Sequence, residues 1–321
     1  MKQISTRYRL FPAWVIAVLD LFLLCLLLGS FLLYYYFIPQ VRKSSGAYIA
    51  PPSTLSADYY DAWRARFSEH FSAEPVITPT TYKSSNISIE ITRHEAGAED
   101  AHIVYYVADI YLADIQAFQT ALAGDTFSRS LTEPLEVMAD RNAALLAMTG
   151  DCYGNHAGGI TVRNGMVHKT EDIGADVCIL YYDGVMSTVP SETLNIRNTL
   201  EAGAYQIWVF GPRLLDDHGQ ALTRFNASAY IQGVHPRAAI GYYEPGHYCF
   251  VVVDGRLGGY SNGADLHMLA SIFESLGCKA AYNMDGGRSA EMIFNGDRVN
   301  SPHEGGRPLT DCIIIKEVDA S

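Results

Sequence analysis

The sequence predicts an α+β fold, mixed β-sheets with a few packed helices, preceded by one N-terminal transmembrane helix. Three observations predict it. Short apolar runs bounded by Gly, Pro, Asn and Asp outnumber the helical stretches. Strands and helices do not alternate regularly, which argues against a doubly wound parallel sheet. From Leu10 to Ile38 an apolar run carries a single charge, Asp20, and about 20 apolar residues suffice to cross a bilayer.

That run sets the organisation of the chain. A secretory apolar region spans only about 7–15 residues and ends at a small-residue cleavage site. This run is longer and no clean site follows, so 10–38 is read as an uncleaved signal anchor, with a cleaved signal peptide as the alternative. Residues 1–9 are then a cytoplasmic tail and 39–58, with Pro39, Pro51, Pro52 and four serines, a linker. Residues 59–100 extend the ectodomain and 101–321 form its main domain. Lys2, Arg7 and Arg9 precede the span, and Arg42 and Lys43 follow it. The excess of positive charge before the span favours a cytoplasmic N-terminus, a single pass and an extracytoplasmic C-terminal domain at the cell membrane. Tyr34, Tyr35 and Tyr36 suit the interfacial aromatic belt. Asp20, costly inside a bilayer, reads either as a helix–helix contact or as an acid reaching water near the inner interface.

The first 43 residues hold five of the 23 Lys and Arg and one of the 35 Asp and Glu. The remainder therefore carries 18 basic and 34 acidic residues, a net charge of −16. Such a domain repels nucleic acid and anionic lipid, so no nucleic-acid partner is expected. Six cysteines occur, at 25, 152, 178, 249, 278 and 312, with no Cys-x-x-Cys spacing for structural zinc. Cys178, Cys249 and Cys312 sit in apolar runs as buried thiols, and one disulfide fits an oxidising compartment. The ten histidines show no metal-ligand spacing, so no metal and no cofactor is expected, although the many Asp residues leave room for a structural calcium.

Taken in order, the ectodomain reads as follows. Residues 59–71 suggest a short amphipathic helix. Residues 86–93 alternate as a strand, 101–112 form a second, and 115–122 read as helical or irregular. After the apolar run 143–148, two hairpins are marked by Asn164-Gly165 and Asp183-Gly184. Residues 193–200 suggest a helix and 205–210 a strand. Strands 238–242 and 248–254 flank Pro245-Gly246. Leu266, Leu269, Ile272, Phe273 and Leu276 have helical spacing, with Gly277 as C-terminal cap. Strands at 280–284, 292–294 and 312–318 complete the domain.

Four polar, glycine-bearing turns end apolar runs, a common way to build a site on a rigid scaffold. They are Thr149-Gly150-Asp151-Cys152-Tyr153-Gly154, His235-Pro236-Arg237, Asp254-Gly255-Arg256 followed by Ser261-Asn262-Gly263, and Asn283-Met284-Asp285-Gly286-Gly287-Arg288-Ser289. Each by itself is also an ordinary turn or helix cap. In this order, with Ala239-Ile240-Gly241 after Arg237 and Arg307 before the last strand, they resemble the phosphodiester glycosidase family over about residues 100–318. That family includes the lysosomal uncovering enzyme, which removes N-acetylglucosamine from mannose-6-phosphate tags, and bacterial members associated with exopolysaccharide. Three positions depart from the family pattern. Thr149 and His235 stand where it has Asn, and Arg288 where it has a third Gly. Arg288 could bind phosphate or fill the pocket, and it would be strained if that position needs a positive φ.

The resemblance implies hydrolysis of a sugar-1-phosphodiester at the anomeric carbon. A phosphate leaving group is a weak base, so it asks little of a general acid but needs its charge held, for which Arg is suited. Arg237, Arg307 and Arg288 are the expected phosphate ligands. Asp285 is the first catalytic carboxylate and Asp254 the second. Asp151, Asn283, Gly286, Gly287 and Ser289 would contact sugar or phosphate. The expected substrate is a sugar-phosphate or surface glycopolymer, and the membrane is met through the N-terminal helix. The competing expectation is a catalytically divergent binder of surface polysaccharide, favoured by Thr149 and Arg288.

Overall fold

A computed structural model describes residues 12–36, 46–55, 57–98, 101–155 and 158–318. It separates an N-terminal helix from the remainder of the chain. That helix, α1 (Ala13–Tyr36), has 24 residues and so is about 36 Å long. It is long and apolar enough to cross a bilayer. The flanking charges Lys2, Arg7, Arg9, Arg42 and Lys43 lie outside the described residues, as do the side chains of Tyr34, Tyr35 and Tyr36.

The second unit begins with α2 (Ala57–Arg66). Trp63 faces inward at 2% exposure, and the Tyr59 and Tyr60 hydroxyls donate to the carbonyls of Asp183 and Tyr182. Strands β1 (Val76–Ile77), β2 (Thr81–Lys83), β3 (Ile87–Ala96) and β4 (Ile103–Leu112) follow. The segment 115–122, read as helical or irregular, is a 3₁₀ turn (Ile115–Ala117) running into β5 (Phe118–Leu122). Asp114 caps that turn by accepting from Gln116 N at 2.8 Å. The short α3 (Leu135–Arg141) precedes β6 (Leu146–Thr149).

Both expected hairpins form. β7 (Gly159–Arg163) and β8 (Met166–Glu171) are joined through Asn164 and Gly165, whose φ values are 51° and 77°. Two successive positive φ angles match the right-handed twist of the flanking strands. β9 (Val177–Tyr181) and β10 (Met186–Val189) form the second. Next come α4 (Ile196–Glu201), β11 (Ala204–Trp208) and α5 (Ala229–Gln232). The long pair β12 (Arg237–Glu244) and β13 (His247–Val253) leads to α6 (Leu266–Ser275). Asp265 caps α6 by accepting from Met268 N, and Gly277 follows at φ 80°. The chain continues with β14 (Ala280–Asn283), β15 (Met292–Phe294), β16 (Asp297–Arg298) and β17 (Asp311–Ile315).

These strands make three sheets, ordered β1-β2-β3-β4-β13-β12-β14, β10-β9-β11-β7-β8 and β16-β15-β6-β17-β5. Their pairings are antiparallel. The main core joins apolar faces of all three, with Ile110, Phe250 and Tyr282 from the first, Trp208 from the second, and Phe118 and Met148 from the third. α6 covers the opposite face of the large sheet through Leu266, Leu269 and Phe273, packed with Val251, Val253 and Ala281. Cys178, Cys249, Cys278 and Cys312 are buried. All six cysteines are free thiols.

The register fixes where the polar turns meet. Ala239 pairs with Asn283, and Arg237 with Val253. The start of β12 therefore lies beside the ends of β13 and β14. On the third sheet, Thr149 at the end of β6 pairs with Cys312 at the start of β17. The Asp285 amide donates to Gly150 O at 3.1 Å and so joins the two sheet ends.

Candidate active site

Asp285 follows β14 at the point where the backbone reverses. Gly286 lies so close to β12 that a Cβ there would come 2.7 Å from the Pro236 carbonyl, so only glycine fits without a shift. Gly287 adopts φ 66° and donates to the same carbonyl at 2.9 Å. The 3₁₀ turn Gly287–Ser289 follows, and its Ser289 is buried. Arg307 locks the arrangement. Its Nη2 donates to Asp285 Oδ2 at 2.6 Å and its Nε to Ser289 Oγ at 2.5 Å. Asp285 is 6% exposed, whereas the Arg307 side chain is 39% exposed. Cys152, at φ 56°, sits beside the same guanidinium, 3.9 Å from Arg307 Nη2. Burial and then the Asp285 charge push its thiol up beyond the usual range, so it stays protonated.

Asp254 ends β13 and is 1% exposed. It accepts from Asn300 Nδ2 at 2.8 Å, from Ser301 N at 3.0 and 3.1 Å, and from the Tyr260 hydroxyl at 3.2 Å. Burial raises its pKa, while these donors pull it back. Asn300 also donates to Ala290 O, so Asp254 is tied to the turn that carries Ser289. Ser261 does not cap α6 as the sequence suggests. Its hydroxyl donates to Asp254 O at 2.6 Å and accepts from Val104 N at 3.0 Å, pinning the loop to β4.

Two residues on from Asp254, exposed Arg256 adopts φ 58°. Its guanidinium lies over Gly287, whose added Cβ would stand 3.5 Å from Nη1 and 3.7 Å from Nη2. Nη2 donates to His235 Nδ1 at 2.9 Å. His235 Nε2 in turn donates to the Tyr230 carbonyl at 2.6 Å. Burial, opposed by that carbonyl and aided by the charges of Arg237 and Arg256, lowers the His235 pKa and favours the neutral ring.

The remaining expected residues lie beneath this surface. Arg237 is 3% exposed and donates to the carbonyls of Ala264, Ile231 and Gly233. Asn283 donates to Gly211 O at 2.7 Å. Asp151 accepts from Arg163 Nη2 at 2.6 Å, Tyr153 N at 3.1 Å and Val209 N at 2.9 Å. Arg163 also meets Asp311 at 2.9 Å, and all three are buried. Arg288 is exposed and pairs with Glu304 at 3.2 Å. Its φ is not positive, because the left-handed position belongs to Gly287, so the anticipated strain is absent.

The structure therefore gathers Asp285, Gly286, Gly287, Ser289 and Arg307 in one turn, with Arg288 at its rim. Asp254 stands behind that turn. Asp151, Arg237 and Asn283 brace it from within. Sequence reasoning gave no role to Arg256, His235, Cys152, Asn300, Arg163 or Asp311. The first three lay inside the quoted turns, whereas the others sit in stretches with no chemical signature. Two clefts of about 340 and 320 Å³ open nearby, the first lined by His102, Tyr260 and Asn262, the second by Val234, Asp265 and His267. Neither is lined by Asp285 or Arg307. Among the described residues no group of three or more His, Cys, Asp or Glu is placed to hold a metal.

The sequence profile of the phosphodiester glycosidase family matches residues 141–316, more than half the chain. The chain belongs to that family. The SPbeta prophage-derived uncharacterized protein YomE of Bacillus subtilis (strain 168) is 26% identical over 200 residues, 60% of this chain but only 31% of that relative. Among solved structures, the fold is similar to the zebrafish N-acetylglucosamine-1-phosphodiester alpha-N-acetylglucosaminidase catalytic domain, auto-inhibited by its pro-peptide. The TM-score is 0.57 at 16% identity, covering 86% of this chain and 97% of that one. A hypothetical protein from Synechocystis has a TM-score of 0.55 at 13% identity, covering 74% and 64%.

Proposed function

We propose that this phosphodiester glycosidase is a membrane-anchored hydrolase of sugar-1-phosphodiester bonds in surface or exopolysaccharide polymers, acting outside the cytoplasm. The observation that carries this is the Asp285–Arg307–Ser289 turn, a nearly buried carboxylate held by a guanidinium whose own side chain is open to solvent. An oxocarbenium-like transition state needs such a carboxylate beside the anomeric carbon. Water supplies the new hydroxyl at that carbon, the bond from carbon to phosphate oxygen breaks, and the phosphate leaves as a phosphomonoester with its electron pair. Because that leaving group is already a weak base, the chemistry asks for held charge more than for a proton donor, and it asks for no cofactor.

In this reading Asp285 acts at the anomeric carbon, and Ser289 and Arg307 hold it. Asp254 supports the turn through Asn300 and fixes the loop carrying Arg256. Asp151, Arg237 and Asn283 keep the platform rigid beneath, Gly286 lets the turn pack against the Pro236 carbonyl, and Gly287 leaves room beside Arg256. A purely binding role draws no support from Arg288, which turns outward to Glu304. The helix α1 supplies the anchor.

The test is sugar release from uridine diphosphate N-acetylglucosamine by the full chain in detergent, beside an Asp285→Asn variant. Release by the wild type that disappears in the variant is expected. A folded wild-type chain that releases no sugar from any sugar-1-phosphodiester would sink the hydrolase reading.

A further inference from the structure

We propose that Arg256, held over Gly287 by His235, takes the phosphate oxygens of the substrate and so selects sugar-1-phosphodiesters over neutral glycosides. This rests on the reading above and names the group that recognises the leaving group. The arginines around the turn differ in what they already hold. Arg237 is buried and donates to three backbone carbonyls. Arg307 is committed to Asp285 and Ser289. Arg288 meets Glu304 and the Gly306 carbonyl. Arg256 alone of these four is exposed and, among the described residues, forms no ion pair with a carboxylate; its guanidinium is held by the neutral acceptor His235 Nδ1 at 2.9 Å.

A guanidinium anchored by a neutral nitrogen keeps its full charge, and its remaining N–H donors, for an incoming anion. Its planar fork matches two phosphate oxygens at once. The position is also fixed. Arg256 sits at φ 58°, a backbone conformation that non-glycine residues adopt at a cost and that clusters at functional sites. Its Nη1 and Nη2 lie over Gly287, two residues from Asp285, and a side chain at that glycine would fill the space between guanidinium and turn. The phosphate would thus lie beside Arg256 while the anomeric carbon faces Asp285.

His235 is a positioning residue. The Tyr230 carbonyl takes the Nε2 proton and leaves Nδ1 as the acceptor that aims Arg256. Asn at this position can also present an acceptor, whereas Ala cannot.

The experiment uses the full chain in detergent and two measurements. Calorimetry compares the binding of N-acetylglucosamine 1-phosphate with that of N-acetylglucosamine. Kinetics compare uridine diphosphate N-acetylglucosamine with the neutral 4-nitrophenyl N-acetyl-α-glucosaminide. Arg256→Gln should weaken the sugar phosphate about 10- to 100-fold, as expected for losing hydrogen bonds to a charged group, and leave the free sugar unchanged. KM should rise for the phosphodiester and stay put for the neutral glycoside. His235→Ala should move both readouts the same way, and His235→Asn should restore them. Equal losses on charged and neutral probes, or unchanged sugar-phosphate affinity in a folded Arg256→Gln protein, would overturn the assignment. So would a wild-type chain that binds neither sugar phosphate nor phosphodiester. A wild-type chain that binds sugar phosphate through Arg256 yet never releases sugar would support the Arg256 assignment and remove the hydrolase reading instead.

Discussion

Two guanidinium–carboxylate arrangements lie close to the end of β6, and they differ in what surrounds them. Arg163 is buried between Asp151 and Asp311, with further bonds to the carbonyls of Val162 and Ile207. Arg307 meets Asp285 at the same 2.6 Å that separates Arg163 from Asp151, but its side chain is 39% exposed. Removing one partner of a buried pair leaves an uncompensated charge in a low-dielectric interior, so the first arrangement is scaffold. The second leaves the Arg307 side chain open to solvent. Similar contacts thus give rigidity in one place and, in the proposed reading, chemistry in the other, with burial as the difference between them.

Four substitutions test that division, the largest effect first. Asp285→Asn should lower sugar release by roughly 10³-fold or more while thermal unfolding stays close to wild type. A variant equally crippled in stability would erase the distinction. Arg163→Leu should do the reverse, destabilising the domain by about 3–5 kcal/mol in denaturant titration by leaving two buried carboxylates unpaired.

The third test uses pH. Burial, opposed by Arg163 and aided by Asp151, pushes the Asp311 carboxyl up to about 7, against about 3.9 in an unfolded chain. Between those values the folded chain keeps a proton that the unfolded chain has released. The contribution is complete below about pH 4 and lost as pH rises through about 7. Melting temperatures should fall across that window, and Asp311→Asn, which cannot ionise, should flatten the slope. An unaltered slope would mean that another group sets it. The smallest effect is expected for Gly287→Ala. At φ 66° an added Cβ costs about 1–2 kcal/mol, measurable in the same denaturant titration. Because it also meets the Arg256 guanidinium, KM for a phosphodiester should rise with it.

Much of the scaffold was legible because its signals are local. Asn164-Gly165 and Asp183-Gly184 mark their hairpins by turn chemistry alone, and the 3.6-residue spacing of Leu266, Leu269 and Phe273 marks α6. Phe118–Leu122 was not legible, since five apolar-rich residues fit helix and strand equally and only the pairing of β5 with β17 decides. The site divides in the same way. Asp285, Gly286, Gly287 and Ser289 act within seven residues of one another and announce themselves in the sequence. Arg163 and Asp311 meet across 148 positions, and Asn300 reaches Asp254 across 46, so nothing local could reveal them. Ser261 looked like a helix cap because Ser is a good one; its true partners are Val104 on β4 and Asp254 just past the end of β13.

The third sheet also sets a timetable. β17 (Asp311–Ile315) lies between β6 and β5, which precede it by well over a hundred residues. Contacts so distant in sequence carry a large loop-closure cost and form late. A chain that emerges from the ribosome N-terminus first holds α1, both hairpins and the Asp285 turn before it holds β17. Until then Asp151 and Arg163 lack Asp311, and Gly150 has no strand against which to settle. The turn around Asp151 and Asp285 is therefore completed only once β17 has been made, and chains cut short before it expose apolar strand edges to their surroundings.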